Sequence, residues 1–306
     1  MTEVEEFEEH RSRLTGLAYR IIGSRSEAED IVHETYLKWF DTNKVEISSP
    51  RSWLIKVATR LSLDHLKSAR VQRVSYIGPW LPEPFIEDAG PYIDDNTNPE
   101  SSYELDESIS MALIILLDSL SPGERTSFIL HDIFNFSFDE ISNILEKTSP
   151  TCRKLASRAR DKVKKDSPKH VSNIDEYKDI TTAFFLAIKK GNLTGLVELL
   201  KENVTFHADG GGKAVAALEV LKGRDNVISF IFKTVRPGFV NTDSHISEMK
   251  PVWFNGVPGF VIYLDRKLVT AFNFIIEDGV ISRIFALRNP EKLRLFDVDY
   301  SGNSDN

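Results

Sequence analysis

A change of hydrophobic periodicity near Ser167-Pro168 is the feature that most constrains how this chain can fold. Before it, apolar residues recur at spacings of three and four, which predicts amphipathic helices. After it, two more helical segments lead into β-branched and aromatic runs separated by Gly, Asp and Asn turns. Helices followed by strands predict all-α modules and then an α+β domain with a curled antiparallel sheet. A length of 306 residues allows two or three such domains.

The N-terminal stretch, residues 7–70, is predicted to form three helices. The second helix opens with Ser26 three residues before Glu29, which is the spacing of a capping box. The third follows Ser49-Pro50, a cap residue with proline at the first helical position. This part of the chain is therefore predicted to be a compact helical module.

Residues 75–105 are dense in Pro, Gly and acidic residues, which predicts a linker. Helices are predicted to follow from Leu105 to Leu120 and from near Glu124. In the C-terminal part, the predicted helices are Tyr177 to Lys190 and Leu193 to Glu202, and the predicted strands are Val204 to His207, His245 to Phe254, Phe260 to Leu264, Val269 to Ile276 and Val280 to Leu287.

The formal net charge is −8, which by itself argues against DNA binding, because affinity for DNA depends largely on Lys and Arg. The average hides a segregation, since the basic residues gather in two stretches, Arg51 to Arg73 and Lys147 to Lys169. Net charge therefore decides little about nucleic acid. The acidic N-terminus, the single cysteine and the lack of an apolar stretch of about 20 residues predict a cytoplasmic protein without a membrane span.

The segment from Phe138 to Lys165 predicts a helix-turn-helix. Ser149 is predicted to cap the second helix and Pro150 to begin it, with Cys152 as core filler on its inward side. Arg and Lys on the outer side of such a helix can reach guanine edges and phosphates in a major groove. The pattern alone leaves open a solvated helix hairpin with a charged face. The predicted outward residues are Thr151, Arg153, Lys154, Ser157, Arg158, Arg160 and Lys164.

An acidic helix followed by a basic helix is a second pattern, in the N-terminal module. The acidic side of the second helix is formed by Glu27, Asp30 and Glu34. The basic side of the third helix can track a phosphate backbone, and a nearby aromatic residue can stack on exposed bases. Ordinary amphipathic helices on a protein surface explain the pattern equally well. The residues of the third helix concerned are Trp53, Lys56, Arg60, Lys67 and Arg70.

Together these segments resemble a known family over essentially the whole chain. Residues 7–73, with EAEDIVHETYLKWF at Glu27 to Phe40 and SPRSWLIKVATRLSLDHLKSAR at Ser49 to Arg70, are similar to region 2 of the extracytoplasmic function (ECF) sigma factors of the sigma-70 family. Residues 106–166, with LSPGERTSFILHDIFNFSFDEISNIL at Leu120 to Leu145, are similar to region 4.

Three short motifs narrow the resemblance to the group that carries a SnoaL-like, NTF2-like C-terminal extension. They are WLPEP (Trp80 to Pro84), DGGGK (Asp209 to Lys213) and NPEKL (Asn289 to Leu293). The last motif usually has Asp where this chain has Glu291, a departure that keeps the charge. The resemblance implies all-α sigma regions 2 and 4 and an α+β cone-shaped barrel. The implied boundaries are 1–73 for region 2, 74–105 for the linker, 106–168 for region 4, 169–300 for the SnoaL-like domain and 301–306 for a tail.

The resemblance also implies a function, which is to bind core RNA polymerase through the β′ clamp helices and the β flap and to direct it to promoter DNA. For polymerase binding it indicates Asp30, Glu34 and Trp39; for the -10 element, Lys56, Arg60, Asp64, Lys67 and Arg70; and for the -35 element, Thr151, Arg153, Lys154 and Arg158. For regulation in cis it indicates contacts between the linker residues Trp80, Leu81, Pro82, Glu83 and Pro84 and the C-terminal residues Asp209, Gly210, Gly211, Gly212, Lys213, Asn289, Pro290, Glu291, Lys292 and Leu293. It implies no catalytic residue, cofactor or metal.

Two other functions remain open at this point. One is a ligand-sensing helix-turn-helix regulator that does not bind core polymerase. The other is a SnoaL-type cyclase or isomerase, with His207 or Asp209 as acid or base and Arg224 or Arg288 for charge stabilisation. The three consecutive glycines fit a tight turn better than a phosphate cradle, because no Ser or Thr follows Lys213. WLPEP can also simply anchor the linker on region 2, and no residue identifies a small ligand for the C-terminal domain.

Overall fold

The computed structural model describes residues 2–73, 75–84, 86–87, 111–166, 174–236, 246–254 and 257–294. Most of the predicted linker, the predicted helix start at Leu105 and the tail from residue 301 lie outside these ranges. None of the helices in the described ranges combines the length and the apolarity that crossing a membrane requires.

The chain divides into two compact units. The WLPEP motif is divided between them, since Trp80 and Leu81 belong to the second unit and the three residues from Pro82 to Pro84 belong to the first. The first unit consists of Met1–Val74, Pro82–Pro84 and Asp94–Ser167, and the second of Ser75–Leu81, Phe85–Ile93 and Pro168–Asn306.

The N-terminal part of the first unit contains the three predicted helices, α1 (Glu3–Ile22), α2 (Arg25–Asp41) and α3 (Pro50–Arg73). A capping box of Thr2 and Glu5 begins α1, and Gly23 ends it with a left-handed backbone (φ 80°). The three helices pack through side chains that are almost completely buried, including Phe7, Leu14, Leu17, Ile31, Trp39, Leu54 and Leu66.

Helix α2 begins nearer the N-terminus than predicted. Its N-cap is Ser24, whose hydroxyl oxygen accepts from the Glu27 N–H at 3.3 Å, so the prediction of a cap at Ser26 was wrong. The sequence repeats the Ser-x-x-Glu spacing two residues apart, and because Gly23 ends α1, the first copy is used. The cap predicted at Ser49 is confirmed, since its hydroxyl accepts from the Ser52 N–H at 3.3 Å.

Within residues 111–166, the first unit contains four further helices, two of which begin with capping boxes, at Ser121 and Ser137. The buried Arg125 donates to the Ile21 carbonyl oxygen at 2.6 Å and pairs with Asp118 at 2.7 Å, which fixes this part against α1. The helices are α4 (Met111–Asp118), α5 (Pro122–Phe128, continued by a π-helical turn over Ile129–Ile133), α6 (Phe138–Leu145) and α7 (Ser149–Asp166).

The second unit has the α+β architecture that was expected, with helices packed on a curved sheet. Its helices are α8 (Ile174–Lys190), α9 (Leu193–Leu199), α10 (Arg224–Phe230, continued by a π-helical turn over Ile231–Val235) and α11 (Pro290–Leu293). Its strands are β1 (Ile86–Glu87), β2 (Leu200–Asp209), β3 (Leu221–Lys222), β4 (Ile246–Phe254), β5 (Val257–Leu264), β6 (Lys267–Glu277) and β7 (Val280–Leu287).

The sheet is mixed, whereas an antiparallel sheet was predicted. Its strand order is β1-β4-β5-β6-β7-β2-β3, and β2 runs parallel to β7, for example with Ala208 opposite Ala286. Strands β4 to β7 form the antiparallel meander that their short turns favour. The parallel pair joins the first long strand to the last one, and short-range sequence patterns carry no signal for such a pairing.

The helix predicted from Leu193 to Glu202 ends earlier, at Leu199. Leu200 has an extended backbone and pairs with Ile281, so its apolar side chain belongs to the sheet and not to a helix face. The short elements α10 and β3 were not predicted. The core of this unit is rich in aromatic residues, and the buried Tyr177 hydroxyl donates to the Phe274 carbonyl oxygen at 3.0 Å.

Candidate nucleic-acid interface and linker-binding cluster

Helices α6 and α7 form the predicted helix-turn-helix. Glu146 ends α6 with a left-handed backbone (φ 53°), and α7 includes Ser149 as its first residue, one position before the predicted start. On the inward side of α7, Cys152, Ala156 and Ala159 are fully buried. Burial raises the pKa of the Cys152 thiol, which fits a core residue and not a reactive one.

The outer side of α7 is exposed over its first three turns. Arg160 differs from its neighbours, because it is only partly exposed and pairs with Asp132 at 2.6 Å. The guanidinium of Arg153 lies 5.3 Å from the centre of the Phe138 ring, an arrangement that orients it without burying it. The side chains predicted for the -35 element are all exposed: Thr151, Arg153, Lys154 and Arg158.

The basic side of α3 is only partly free. Arg60 is held by the C-terminal end of α6, where it donates to the carbonyl oxygens of Asn143 and Ile144, both at 3.3 Å, and pairs with Glu146 at 2.7 Å. A cation at the last carbonyls of a helix is favourable because those groups lack partners within the helix. The other candidates on α3 are Lys56, which is partly buried, Asp64 and Lys67, which pair with each other at 2.7 Å, and Arg70, whose side chain lies outside the described part.

Helix α2 exposes the acidic residues Asp30 and Glu34, as predicted. Trp39 was wrongly predicted as a residue that contacts a partner. Its side chain is fully buried, its ring lies 5.5 Å from the Trp53 ring, and its indole N–H donates to the Glu3 carbonyl oxygen at 3.1 Å. The assignment to a partner contact followed the family resemblance, although the helical spacing of α2 places Trp39 on the same side as the buried Ile31 and Val32.

The exposed apolar residues of α2 are Leu37 and Phe40, at 48% and 55% of their full accessibility. The sequence interpretation missed both. Their positions flank Trp39 on the helix, so the helical spacing that identifies Trp39 as core also places them away from the core. An exposed pair of large apolar side chains beside acidic residues is typical of a contact surface.

We expect Trp39→Ala to lower the free energy of unfolding by about 3–5 kcal/mol, because it removes a fully buried indole and leaves a cavity. Leu37→Ala on the same helix should change it by no more than about 0.5 kcal/mol. Urea denaturation of both variants measures the difference. Equal and small effects would contradict the assignment of Trp39 to the core.

A buried cluster around Asp209 joins the linker to the C-terminal domain within the second unit. The Asp209 carboxylate is fully buried and accepts four hydrogen bonds: from the Tyr76 hydroxyl at 2.5 Å, the Leu81 N–H at 2.9 Å, the Gly211 N–H at 3.1 Å and the Lys292 ammonium at 2.7 Å. We call this the Asp209 cluster, with the members Tyr76, Trp80, Leu81, Asp209, Asn289 and Lys292.

Lys292 is the cation of the Asp209 cluster. Besides Asp209, it donates to the Leu81 carbonyl oxygen at 2.5 Å, and its ammonium lies 4.4 Å from the centre of the Trp80 ring. Asn289 donates to the Tyr76 hydroxyl at 3.0 Å. Burial and the Asp209 carboxylate raise the pKa of Tyr76, so its hydroxyl stays protonated and donates. Each of the three motifs, WLPEP, DGGGK and NPEKL, therefore contributes at least one residue to the cluster.

The glycines of DGGGK form a turn, as predicted, and support the cluster by their size. Gly211 and Gly212 have left-handed backbones (φ 58° and 71°). A Cβ at Gly211 would collide with Asn289, and one at Gly212 would lie 2.8 Å from Ile77. On the outside of the cluster, the exposed Lys213 pairs with Glu291. Glu291, which stands where the motif usually has Asp, thus supplies the carboxylate that pairs with Lys213.

The second half of WLPEP makes its contacts within the first unit. The buried Glu83 carboxylate accepts from the N–H groups of Arg25 at 2.9 Å and Ser26 at 3.2 Å and from the Ser24 hydroxyl at 2.9 Å. Backbone N–H groups at the start of a helix have no acceptor within the helix, and a negative charge is favourable there. The Tyr19 hydroxyl donates to the Glu83 carbonyl oxygen at 2.7 Å. The sequence interpretation named the motif but none of these partners.

The candidates for an enzymatic site are not gathered in the apolar cavity of the C-terminal domain. Among the described residues that line this cavity, neither His207 nor Asp209 is found, and Asp209 is engaged in the cluster. Arg224 donates to the Val197 carbonyl oxygen at 3.0 Å at the end of α9. Arg288 alone of the four lines the cavity. Within the described ranges, no group of His, Cys, Asp and Glu is arranged to hold a metal ion.

Burial, with Arg283 and Lys222 nearby, lowers the pKa of His207 from its ordinary 6.5 to about 4. Between these values the unfolded chain binds the proton more readily than the folded chain does, so the free energy of unfolding should fall as the pH falls from 6.5 to 4. His207→Gln should make this decline less steep, and His33→Gln, at an exposed position, should not. Urea denaturation across this pH range measures the slopes. The same slope in His207→Gln as in the parent protein would contradict the expectation.

A helix-turn-helix with an exposed basic helix, joined to a second helical module and an α+β domain, defines a multidomain DNA-binding protein. The family models for Sigma-70 region 2 and Sigma-70 region 4 match residues 7–71 and 110–163. The ECF RNA polymerase sigma factor SigJ of Mycobacterium tuberculosis is 34% identical over 298 residues, covering 95% of this chain and 93% of SigJ. The probable ECF RNA polymerase sigma factor SigI of Mycobacterium tuberculosis is 30% identical over 289 residues, covering 93% of this chain and 92% of SigI.

The fold agrees with these matches. The crystal structure of Mycobacterium tuberculosis SigJ matches the structure with a TM-score of 0.72 at 30% sequence identity, over 95% of this chain and 98% of that one. The chain therefore belongs to the extracytoplasmic function sigma factors of the sigma-70 family. The predicted fold class, with all-α regions 2 and 4 and a C-terminal α+β domain, is confirmed. These matches favour a sigma factor over the alternative of a ligand-sensing helix-turn-helix regulator that does not bind core polymerase.

Proposed function

We propose that this sigma factor binds core RNA polymerase, directs it to promoters through α7 and α3, and is controlled in cis by its C-terminal domain. The observation that carries the proposal is the exposed row of Thr151, Arg153, Lys154 and Arg158 on α7, opposite a fully buried side. Such a helix can enter a major groove while its small inward residues keep it close to its partner helix. We assign this row to the -35 element.

The polymerase contact is assigned to α2. Asp30 and Glu34 supply charge, and the exposed Leu37 and Phe40 supply apolar surface, for binding to the β′ clamp helices. Region 4 is assigned to the β flap. The family resemblance supports these partners, and the exposure of the four side chains supports the choice of residues. Trp39 does not contact the polymerase in this assignment; its buried side chain packs against Trp53 and stabilises the position of α2.

The contact to the -10 element competes with an ion pair inside the first unit. Arg60 is one of the residues assigned to that element, but it is engaged by Asn143, Ile144 and Glu146 at the end of α6. The Nε and Nη2 groups that donate to these acceptors are not available to DNA, and the Glu146 carboxylate offsets the positive charge that would attract a phosphate. We infer that promoter binding releases Arg60 from α6, so that the structure corresponds to a state before promoter engagement.

Control in cis is assigned to WLPEP and the Asp209 cluster. The first half of the motif is held by Asp209 and Lys292, and the Glu83 side chain is held at the start of α2. Leu81 and Pro82 are joined by one peptide bond, so the two sets of contacts together limit where the linker between regions 2 and 4 can run. Loss of either set should change how easily the two regions reach their DNA elements.

The assignment of α2 is tested by co-elution with purified core RNA polymerase. The parent protein should co-elute, and the double variant Leu37→Ala/Phe40→Ala should bind at least tenfold more weakly, because it loses the apolar part of the contact. Leu186→Ala, at a similarly exposed apolar residue of the second unit, is the control and should bind normally. Failure of the parent protein to co-elute would contradict the proposed function.

The assignment of α7 predicts a specific change in salt dependence. Arg153→Ala/Arg158→Ala should weaken binding of the polymerase complex to promoter DNA and reduce the slope of log affinity against log salt by about 2, since two phosphate or base-edge cations are lost. Fluorescence anisotropy at several salt concentrations measures the slope. Lys189→Ala/Lys190→Ala, on exposed residues of α8, removes the same charge and should leave the slope unchanged. Equal slopes for both variants would refute the assignment.

A further inference from the structure

The C-terminal domain contains an apolar cavity of about 120 Å³ between the sheet and α10. Its walls include the side chains of Phe206, Phe230, Ile262 and Phe272. A dry cavity of about 150 Å³ in another protein is known to admit benzene, so a cavity of this size and character has room for about one six-membered ring. A water molecule would form few hydrogen bonds in this cavity, because few polar groups line it.

One cationic side chain, Arg288, reaches the cavity wall among the described residues. Its Nε is buried and, within the described ranges, has no hydrogen-bond partner. Its Nη1 donates to the Val215 carbonyl oxygen, which holds one edge of the guanidinium in place. A buried donor without an acceptor is destabilising, and more so when the group is charged, so the arrangement is unfavourable unless something accepts from it.

The residues that line the cavity indicate which chemical group can accept a hydrogen bond from Arg288. Burial lowers the pKa of Arg288, because the guanidinium has lost part of its solvation. A carboxylate matches a guanidinium in charge and geometry and forms short, charge-assisted hydrogen bonds with it. A phosphate would bring a second negative charge, for which the described lining provides no second cation. The hydroxyl of Thr270, also on the wall, is a further donor for a carboxylate oxygen.

We propose that this cavity is a binding site for a compact organic carboxylate about the size of benzoate, with its ring between the phenylalanines and its carboxylate on Nε of Arg288. The site is separate from the polymerase and DNA surfaces, and it is separate from the carboxylate of Asp209, which lies outside the cavity lining. The proposal does not depend on the assigned role in transcription, because binding is measured on the full chain without polymerase.

Isothermal titration calorimetry of the full chain with benzoate, cyclohexanecarboxylate and the neutral benzamide tests the proposal. At least one of the carboxylates should bind, and benzamide should bind at least tenfold more weakly than benzoate. Arg288→Gln should weaken carboxylate binding at least tenfold, whereas Arg283→Gln, on the strand β7 that ends just before Arg288 but outside the cavity lining, should not.

A second variant covers the case in which Arg288→Gln does not fold. Val269→Phe keeps the guanidinium but fills the cavity from the edge of β6, and it should abolish binding. No binding of either carboxylate to the parent protein would overturn the proposal. Equal affinity for benzoate and benzamide, or unchanged binding in both Val269→Phe and any folded Arg288→Gln, would overturn it as well.

Discussion

Lys292→Ala is expected to lower the free energy of unfolding of the second unit by about 3–5 kcal/mol, because removing one partner of a buried ion pair leaves the other charge uncompensated. The partner is Asp209, which is fully buried, and Lys292 itself is only 9% exposed in its side chain. Two further contacts are lost, with the Leu81 carbonyl oxygen and the Trp80 ring. Urea denaturation measures the loss of stability.

The matched control is Lys213→Ala. Lys213 belongs to the neighbouring DGGGK motif and pairs with Glu291, but both side chains are more than half exposed, so its removal should cost no more than about 1 kcal/mol. Hydrogen exchange adds a local measurement, since the Leu81 N–H donates to Asp209 and should exchange faster only in Lys292→Ala. If the two variants are equally stable and Leu81 stays protected in both, the Asp209 cluster does not hold the linker.

Glu83→Ala is expected to lower the free energy of unfolding of the first unit by about 1–3 kcal/mol, because it leaves one buried and two partly buried donors without the carboxylate that accepts from them. The groups concerned are the N–H of Arg25, the N–H of Ser26 and the hydroxyl of Ser24. The carboxylate also lies at the positive end of α2, where its charge is favourable. Chemical denaturation measures the effect, and hydrogen exchange at Arg25 and Ser26 should become faster.

The control for this prediction is Glu29→Ala on the same helix. Glu29 pairs with Arg25 at 2.9 Å, but it is exposed, and such a pair contributes no more than about 0.5 kcal/mol. A loss of stability in Glu29→Ala as large as in Glu83→Ala would mean that acidic charge near α2 matters in general. The specific contact between WLPEP and the start of α2 would then lose its support.

The helix-turn-helix was predictable because local chemistry determines it. The apolar spacing of Ile141, Ile144 and Cys152 marks the buried sides, and the turn at Glu146 to Thr148 separates the two helices. Strand β7 was predicted with its observed bounds, since Val280 to Leu287 is an apolar, β-branched run between clear turns. In such segments, local preference and tertiary packing favour the same structure.

The parts that were missed depend on contacts between residues distant in sequence. Nothing near β2 indicates that it pairs in parallel with β7. The motifs WLPEP, DGGGK and NPEKL could be named from the sequence, but Tyr76 could not be assigned to their cluster, because its partner Asp209 lies 133 positions further along the chain. The partner contact assigned to Trp39 was wrong for a different reason, because the helical spacing of α2 already places its side chain toward the core.

We propose that this chain directs transcription initiation and that the Asp209 cluster adjusts it. Run-off transcription by purified core RNA polymerase on a promoter library, at a stated salt concentration, tests both parts. Core polymerase with the parent chain should produce specific transcripts that core polymerase alone does not produce, and Lys292→Ala should change their yield or promoter choice severalfold while Lys213→Ala does not. No specific transcript from any promoter would contradict the account, and identical transcription by both lysine variants and the parent chain would contradict the role of the cluster.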